Sequence, residues 1–457
     1  MNGIKRVIIF CFLIPIVSFG TTTKFLSPIN DSIIIGNMVP IVLKGCKYIP
    51  KTFAHLGKSK MNLRWEKSLY KKRWIARLLL KNHDSNILTI DGKCGRKKIF
   101  YSVKLNWHED SKSVGDQVIN HFIAQNSAHK QKWDWGPAVF LYGMTKNIQF
   151  SSNSKKLIQY IENYHEYWSL KGLPKIDWAD KCPSALSAFY LAKNNDNYNY
   201  WPSIEKVIRW IKNAKRNDLK SLNHFGNKTW MTKLFPASIW VDSLVMWNIL
   251  ALKYALYNQD EDLKEFALKQ PLIFEQNLKD PETGLFYHAW NIAKGRPFPK
   301  RNTFWLRGNG WVLTALIDML ELINKDNKYY AKLKNIFIDL AKSINRYRLK
   351  SNYWDTLLAF PGDGYEESSG SALIAYAYLK GYRMGFLPRS YQSRGIETYS
   401  SIVARMPKTR QGGSMTDISW LTMPYGKFGY KMLMRQSDVS YGVGAFLLLN
   451  SEMGLLN

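Results

Sequence analysis

Residues Pro236–Trp247 read PASIWVDSLVMW and place a single carboxylate, Asp242, among two tryptophans, a methionine and aliphatic residues. Apolar residues continue at helical length as far as Leu256. Because a helix that is apolar nearly all round is usually buried on all sides, the stretch predicts an interior helix over 238–257. Such surroundings should raise the pKa of Asp242 toward neutrality, which suits a general acid. The structural alternative is a carboxylate that complements the helix dipole from the first turn.

Helical patterns fill the chain from about residue 112 to its end. Their lengths and short connections suit antiparallel hairpins, and six hairpins can close into a double ring of helices. The more apolar helices, such as 238–257 and 369–385, should form the inner ring, with functional residues gathered at one mouth. The candidate helices are 115–128, 135–146, 153–168, 181–194, 202–214, 238–257, 260–277, 309–324, 328–347, 369–385, 389–404 and 437–452.

The region before the helices has a different pattern. Short β-branched or alternating runs at 32–35, 39–43, 74–80, 87–90 and 99–103 are separated by turn residues. Runs of this length and spacing are typical of a small β-sandwich. We therefore expect an Ig-like accessory domain over 21–110 and a helical catalytic domain over 111–457.

The amino-terminal 20 residues have the pattern of a secretory signal peptide. Lys5 and Arg6 give a basic start, 7–17 is apolar, and Ser18 and Gly20 are small residues before a cleavage point. We expect export to the periplasm or the medium, with no membrane span after signal removal. A single amino-terminal anchor is the alternative.

The cysteines fit an exported protein. Cys46 and Cys94 lie in the β region and could pair, which would leave Cys182 free. Three scattered cysteines without nearby histidines make a poor metal site, so no metal is expected.

The formal net charge is +30, from 65 Lys and Arg against 35 Asp and Glu. Such a surplus attracts polyanions. For an exported protein this favours acidic polysaccharide over nucleic acid or a membrane surface, although a general lysine bias would give the same balance. Aromatic residues make up 14% of the chain, which suits either sugar stacking or a large core.

Polar and aromatic residues cluster at several junctions between loops and helices. In 307–311, Arg-Gly-Asn-Gly-Trp, the guanidinium is a planar fork that matches a carboxylate, and Trp311 offers a face to a sugar ring. Two glycines there allow tight turning and close backbone approach. The clusters are Trp133–Gly136, Asp177–Asp180, Asp280–Trp290, Phe304–Trp311 and Glu367–Ala372.

From Trp133 onward the chain resembles the unsaturated rhamnogalacturonyl hydrolases, glycoside hydrolase family 105, and their relatives, the unsaturated glucuronyl hydrolases of family 88. The resemblance implies an (α/α)6 barrel and no metal or organic cofactor. The motifs that carry it are Trp240–Leu244, Asp280–Trp290, Arg307–Trp311, Glu367–Gly370 and Tyr441–Leu449.

The resemblance also implies an unusual hydrolysis. The substrate is an acidic oligosaccharide whose non-reducing end is a 4,5-unsaturated uronate left by a lyase. Protonation at C4 of the enol ether lets water add at C5, and the hemiketal opens to release the sugar. Two alternatives stay open: a polysaccharide lyase with Tyr287 or His288 as base, and a non-catalytic glycan-binding protein.

The catalytic roles that the resemblance implies fall on aspartates. Asp242 matches the catalytic acid, which then serves as base toward water. Asp180 matches a second aspartate, with Asp177 as a competitor for that position.

The binding roles fall on five other residues. His288 and Arg307 match groups that could fix the uronate carboxylate. Trp240 and Trp311 match aromatic walls, and Trp135 is a candidate for the rim.

The chain departs from the family pattern at three points. A usual Trp-His-Lys run is Trp230-Met231-Thr232 here, a usual Gln is Ser238, and the glycine after the catalytic aspartate is Ser243. These changes remove polar groups from the mouth and bear on substrate identity more than on reaction type.

Overall fold

A computed structural model describes most of the chain beyond the amino terminus. The predicted signal peptide lies outside the described residues. No helix in the part of the chain that the structure describes is long and apolar enough to cross a bilayer. The described residues are 24–27, 32–34, 38–44, 46, 49–56, 59–67, 73–79, 87–107, 111–194, 198–299, 302–407, 409–410 and 412–456.

The amino-terminal region is built of strands, as expected. In its described residues one sheet has the order β1-β3-β7-β6 and a second has the order β2-β9-β8-β4-β5. The pairs are antiparallel except for β2 with β9. The strands are β1 (Lys24–Ser27), β2 (Ser32–Ile34), β3 (Met38–Lys44), β4 (Lys51–Leu56), β5 (Ser59–Asn62), β6 (Glu66–Lys67), β7 (Arg73–Leu79), β8 (Ile87–Cys94) and β9 (Lys97–Trp107).

Both sheets contribute to one apolar cluster. Ile41 and Leu78 come from the first sheet and Leu88 and Ile90 from the second, and all four are buried. The alternation of buried and exposed residues along a strand is what places one face of each sheet in this cluster. Buried Ala404, from the helical region, joins it, so the sheets rest against the helices.

A disulfide bond joins Cys46 to Cys94. The bond connects the segment after β3 with the end of β8, and so links the two sheets. The third described cysteine, Cys182, is buried and free.

Helices fill the rest of the chain and alternate between an outer and an inner ring. In the described residues each of the twelve predicted helices is present, with ends shifted by a few residues. The outer helices are α1 (Ser111–Gln125), α3 (Ser154–Lys171), α5 (Trp201–Asn213), α7 (Glu261–Leu278), α9 (Tyr330–Asn345) and α11 (Arg389–Val403). The inner helices are α2 (Trp135–Asn147), α4 (Ser184–Asn194), α6 (Ile249–Tyr257), α8 (Leu306–Leu322), α10 (Ser368–Arg383) and α13 (Ser440–Gly454).

Sequence pattern decides the ring to which a helix belongs. In α3 the buried residues are 157, 160, 161, 164 and 165, a single stripe at helical spacing, so the opposite face meets solvent. In α10 every residue from Ser368 to Gly381 is buried. The inner ring closes because α13 packs on both α10 and α2. This arrangement is an (α/α)6 barrel, as expected.

Glycines bring the first and last inner helices into close contact. An added Cβ at Gly143 would lie 2.6 Å from the carbonyl oxygen of Gly444, and one at Gly444 would lie 2.4 Å from that of Val139. Both distances are shorter than real contacts. Only glycine lets the α2 and α13 backbones approach this closely, which seals the ring.

The opening stretch folds differently from its prediction in one respect. Ser238–Trp240 is a strand, β10, and not the start of a helix; the helix begins with a π-turn at Leu244–Asn248 that leads into α6. The strand pairs with β11 (Ala289–Asn291), which pairs with β12 (Arg296–Phe298). Backbone pairing outweighs the helical pattern here, and it places Asp242 beside residue 288.

The glycine-rich run after Arg307 also differs from its prediction. It lies inside α8, which begins at Leu306, and does not form a tight turn. Close approach is what the glycines provide: an added Cβ at Gly310 would lie 3.0 Å from the Leu373 Cβ. The remaining elements are β13 (Ile418–Ser419), α12 (Lys427–Lys431) and β14 (Arg435–Gln436).

Candidate active site

The amino-terminal ends of the inner helices meet at one mouth of the barrel. Trp135 begins α2, Arg307 is the second residue of α8, and Glu367 caps α10. Asp180 and Asp242 lie just before α4 and α6. Helix amino termini carry partial positive charge, so this mouth favours anionic groups.

A cavity of about 250 Å³ opens at this mouth. Its walls combine tryptophans with two aspartates that the sequence analysis selected. The lining residues are Asp134, Trp135, Trp178, Asp180, His224, Phe225, Trp230, Met231, Trp240, Asp242, Trp305, Arg307, Leu421, Thr422 and Met423.

Asp242 has a histidine partner. The Nε2 atom of buried His288 lies 3.2 Å from Asp242 Oδ2. On the other side of the ring, Nδ1 is 2.8 Å from the hydroxyl of Tyr430 in α12. The ring also stacks on Trp305, with centroids 4.4 Å apart. His288 is therefore held against Asp242 and is not among the cavity-lining residues. The carboxylate-binding role expected for it stays a prediction.

The pKa of Asp242 shifts in the direction opposite to the prediction. Burial raises the pKa, but the adjacent His288 imidazole outweighs burial, so the pKa lies below the usual carboxyl value. Asp242 is therefore ionised at neutral pH. The sequence prediction considered only the apolar neighbours along the chain and not the imidazole that β11 brings alongside.

Asp180 is the carboxyl whose pKa rises. Burial raises the pKa well above the ordinary aspartate value, the charges of Asp134 and Asp242 add to it, and Lys181 offsets part of the effect. Asp180 lines the cavity, whereas its competitor Asp177 does not and lies 3.4 Å from Lys175 Nζ. The structure thus brings Asp180, and not Asp177, to the site.

Trp240 and Trp135 lie in the cavity wall, where the sequence analysis expects them. Trp240 donates its indole N–H to Ser238 Oγ at 2.9 Å and stacks on His224 with ring centroids 4.5 Å apart. Trp135 stacks on Tyr441 at 4.5 Å. Both indoles are fixed by contacts within the chain before any ligand binds.

Arg307 lines the cavity, but both terminal nitrogens of its guanidinium already donate hydrogen bonds within the chain. Nη1 donates to the carbonyl and hydroxyl oxygens of Ser419, at 2.8 and 2.6 Å, and to Ser369 Oγ. Nη2 donates to the Trp420 carbonyl and to Thr422 Oγ1. The two terminal nitrogens of the guanidinium therefore hold the segment that forms one cavity wall. The carboxylate-binding role expected for Arg307 stays a prediction.

Trp311 does not form an aromatic wall. It is fully buried in the barrel core and is not among the cavity-lining residues. The reason is geometric: α8 runs from the mouth into the barrel, and a residue four positions after Arg307 lies about 6 Å deeper along the axis.

The sequence analysis did not select several of the residues that line the cavity. Trp178, Trp305 and Asp134 belong to clusters that it quoted, and the recurrence of Trp beside Asp was the available signal. No sequence signal indicated His224, because it lies in a loop between a helix and a strand. Thr422 lies in a loop that the chain folds back over the mouth.

A barrel mouth that combines two partly buried aspartates with several indoles is typical of an enzyme that acts on sugars. A family model described as Glycosyl Hydrolase Family 88 matches residues 111–456. The chain belongs to this family and is a glycoside hydrolase, which confirms the resemblance seen in the sequence.

Similar proteins carry informative names. The chain is 26% identical over 343 residues to the unsaturated rhamnogalacturonyl hydrolase YesR of Bacillus subtilis, covering 75% of this chain and 94% of that one. It is 27% identical over 224 residues, 47% of this chain and 57% of the relative, to an unsaturated 3S-rhamnoglycuronyl hydrolase of Formosa agariphila. A C. acetobutylicum family 105 glycoside hydrolase structure matches with a TM-score of 0.67 and 25% identity, covering 74% of this chain and 99% of that one.

The internal role of Arg307 gives a testable expectation. Arg307→Ala should lower the free energy of unfolding by about 1–3 kcal/mol, the cost of leaving buried hydrogen-bonding partners unsatisfied. It should also speed amide exchange in 418–423. Thermal denaturation and hydrogen exchange measure both, with Arg307→Lys as the charge-preserving comparison. Unchanged stability and exchange would contradict the internal role of the guanidinium.

Proposed function

We propose that this protein removes a 4,5-unsaturated uronate from the non-reducing end of acidic oligosaccharides. A proton adds to C4 of the enol ether, water adds to C5 and loses a proton, and the resulting hemiketal opens to release the remaining sugar. The names of the two relatives support this substrate class, and both point to a uronate linked to rhamnose.

One observation carries the proposal: two aspartates in the same cavity have opposite pKa shifts. Burial and the charges of Asp134 and Asp242 raise the pKa of Asp180, which favours its protonated form, whereas the pKa of Asp242 is lowered, which favours its ionised form. Groups whose environments separate their pKa values in this way suit an acid and a base. Asp180 thus delivers the proton to C4 and Asp242 accepts the proton of the attacking water. This assignment transfers the acid role from Asp242, where the resemblance placed it.

Unpaired donors at the cavity support an anionic ligand. Trp178 Nε1, Trp305 Nε1 and Arg307 Nε are buried N–H groups without a hydrogen-bond partner in the described part of the chain. All three residues line the cavity. A buried donor without an acceptor is costly, and the uronate carboxylate would supply acceptors at the positive ends of the inner helices.

Aromatic residues at the rim support an oligosaccharide. Trp230 lines the cavity and is 62% exposed. Leu421 lines it from the opposite segment and is 44% exposed. Exposed apolar surface around a polar cavity suits the faces of further sugar rings beyond the uronate.

The lyase alternative lacks a base in the expected place. Tyr287 donates its hydroxyl to Asp280 at 3.1 Å and does not line the cavity. His288 is likewise absent from the lining and is held by Asp242 and Tyr430. Neither residue faces a substrate in this cavity, so the arrangement favours hydration over β-elimination.

The activity is tested by ultraviolet absorbance. Lyase digests of a rhamnogalacturonan, a sulfated rhamnose–uronate polymer and a glycosaminoglycan all end in unsaturated uronates, and the protein should consume the absorbance of at least one. Asp180→Asn and Asp242→Asn should each lower kcat by roughly 10²–10⁴, the usual contribution of a general acid or base.

Asp177→Asn is the matched control, because it removes a neighbouring carboxylate that does not line the cavity. It should keep wild-type kcat. A rise in absorbance with intact polysaccharide would identify a lyase, and efficient release of a saturated uronate would contradict the enol-ether mechanism.

The pH dependence follows from the two shifts. A lowered pKa at Asp242 means that the base is lost only as pH falls below the ordinary carboxyl range. A raised pKa at Asp180 means that the acid is lost as pH rises through a value above that range. A plot of kcat/KM against pH should therefore be bell-shaped, and residual activity in Asp180→Asn should lack the alkaline limb. Activity that only increases with pH would contradict this assignment.

We also propose that 21–110 is a separate β-sandwich domain, that 111–457 is the catalytic domain, and that the protein is exported. The shared apolar cluster supports a sandwich, and the disulfide fits an oxidising compartment. Limited proteolysis should yield a stable helical fragment that lacks the β region. Mass spectrometry of the protein from its host should find it outside the cytoplasm with the Cys46–Cys94 link and without the first 20 residues. A retained amino terminus, or reduced cysteines, would contradict export.

A further inference from the structure

His224 is a buried imidazole at the active site that the proposed reaction does not yet use. It lines the cavity but is only 2% exposed. Its Nε2 atom lies 3.5 Å from Asp180 Oδ1, and its Nδ1 atom lies 3.0 Å from Ser243 Oγ. The ring thus connects the segment before α4 with the segment before α6.

Three further contacts fix this ring. It stacks on Trp240 with an interplanar angle of 4°. Its backbone N–H donates to the Ser238 carbonyl at 2.8 Å, and its carbonyl accepts from the Ala179 N–H at 2.8 Å. The loop that holds His224 is therefore joined to the strand before Asp242 and to the residue before Asp180.

The Ser243 hydroxyl contacts the His224 imidazole and does not cap the helix. It occupies the cap position before the π-turn of 244–248, where a serine hydroxyl often accepts from a helix N–H. Here the hydroxyl makes no capping bond and contacts His224 instead. Ser243 is fully buried and does not line the cavity, so its hydroxyl contacts no substrate.

Burial lowers the pKa of His224 to about 4, so the ring is neutral at neutral pH. A neutral imidazole has one N–H donor and one acceptor nitrogen, and the partner of one nitrogen sets the role of the other. The titratable groups near the ring and Asp180 are Asp242, His288, Asp134 and Lys181.

We propose that His224 is a positioning residue for Asp180. The Ser243 hydroxyl donates to Nδ1, which places the proton on Nε2. Nε2–H then donates to Asp180 Oδ1 and leaves Oδ2 to carry the proton that is transferred. After the transfer, the same N–H stabilises the carboxylate that remains. This role rests on the proposed function, whereas the Ser243–His224–Asp180 arrangement does not.

Two variants distinguish the roles of the two ring nitrogens of His224. In His224→Gln the amide reaches the position of Nε2 and can still donate to Asp180. In His224→Asn it reaches only the position of Nδ1. We expect His224→Gln to keep kcat within a few-fold and His224→Asn to lose about tenfold or more, as for one hydrogen bond to a group that becomes charged. The alkaline limb of the pH profile should shift in His224→Asn and stay in His224→Gln.

Ser243→Ala completes the set. Alone, it should lower kcat in the same direction as His224→Asn. Combined with His224→Gln it should have no further effect, because the amide no longer needs the serine. A purely structural role would lower the melting temperature of each variant while kcat and the pH profile stayed as in the wild type, and that result would overturn the proposal.

A second experiment needs no substrate and uses ¹⁵N-histidine NMR of the full-length protein. His224 should show a protonated Nε2 and a bare Nδ1. Asp180→Asn should shift the Nε2 signal, and Ser243→Ala should shift the Nδ1 signal. The opposite tautomer, or signals that neither variant moves, would refute the arrangement. If the wild type consumes no unsaturated uronide, the proposed function fails. The NMR experiment still tests the Ser243–His224–Asp180 arrangement in that case.

Discussion

Two carboxylates buried in one small cavity cannot share the same protonation state at low cost, and the rest of the site depends on how this conflict is resolved. Asp242 has an imidazole 3.2 Å away and stays ionised. Burial and the charges of Asp134 and Asp242 raise the pKa of Asp180, which favours its protonated form. The opposite shifts favour a single negative charge on the pair, beside the His288 imidazole, and the mouth remains open to an anionic sugar.

The barrel supplies the framework for this pair. Inner helices begin at the mouth, so their positive ends and the loops before them converge there. Arg307 acts as an internal support that binds the 419–422 wall through four acceptors, and Tyr430 fixes the far side of His288. The opposite end of the barrel is held by a buried ion pair, Lys380 with Asp318 at 2.6 Å.

Much of this fold could be predicted from sequence because periodicity reports which faces are buried. The single apolar stripe of α3 and the mostly apolar sequence of α10 identify an outer and an inner helix directly. Asp180, Asp242, Trp240 and Trp135 could be placed because each lies in a distinctive motif that leads into an inner helix. The sequence does not show how deep along a helix a residue lies. It therefore could not predict that Trp311 lies in the core.

Properties that depend on distant contacts could not be predicted. The pKa of Asp242 depends on His288, 46 positions later, and on the pairing of β10 with β11 that brings the two together. Arg307 finds four of its acceptors more than 100 positions later, in 419–422. The two serines that depart from the family pattern, Ser238 and Ser243, contact Trp240 and His224, a relation visible only in three dimensions.

Neutron diffraction on a crystal exchanged into D₂O at neutral pH tests the central claim most directly, because it locates the deuteron on each carboxyl. We predict a deuteron on Asp180 and none on Asp242. A deuteron on Asp242 beside a bare Asp180 would reverse the acid and the base and contradict the account.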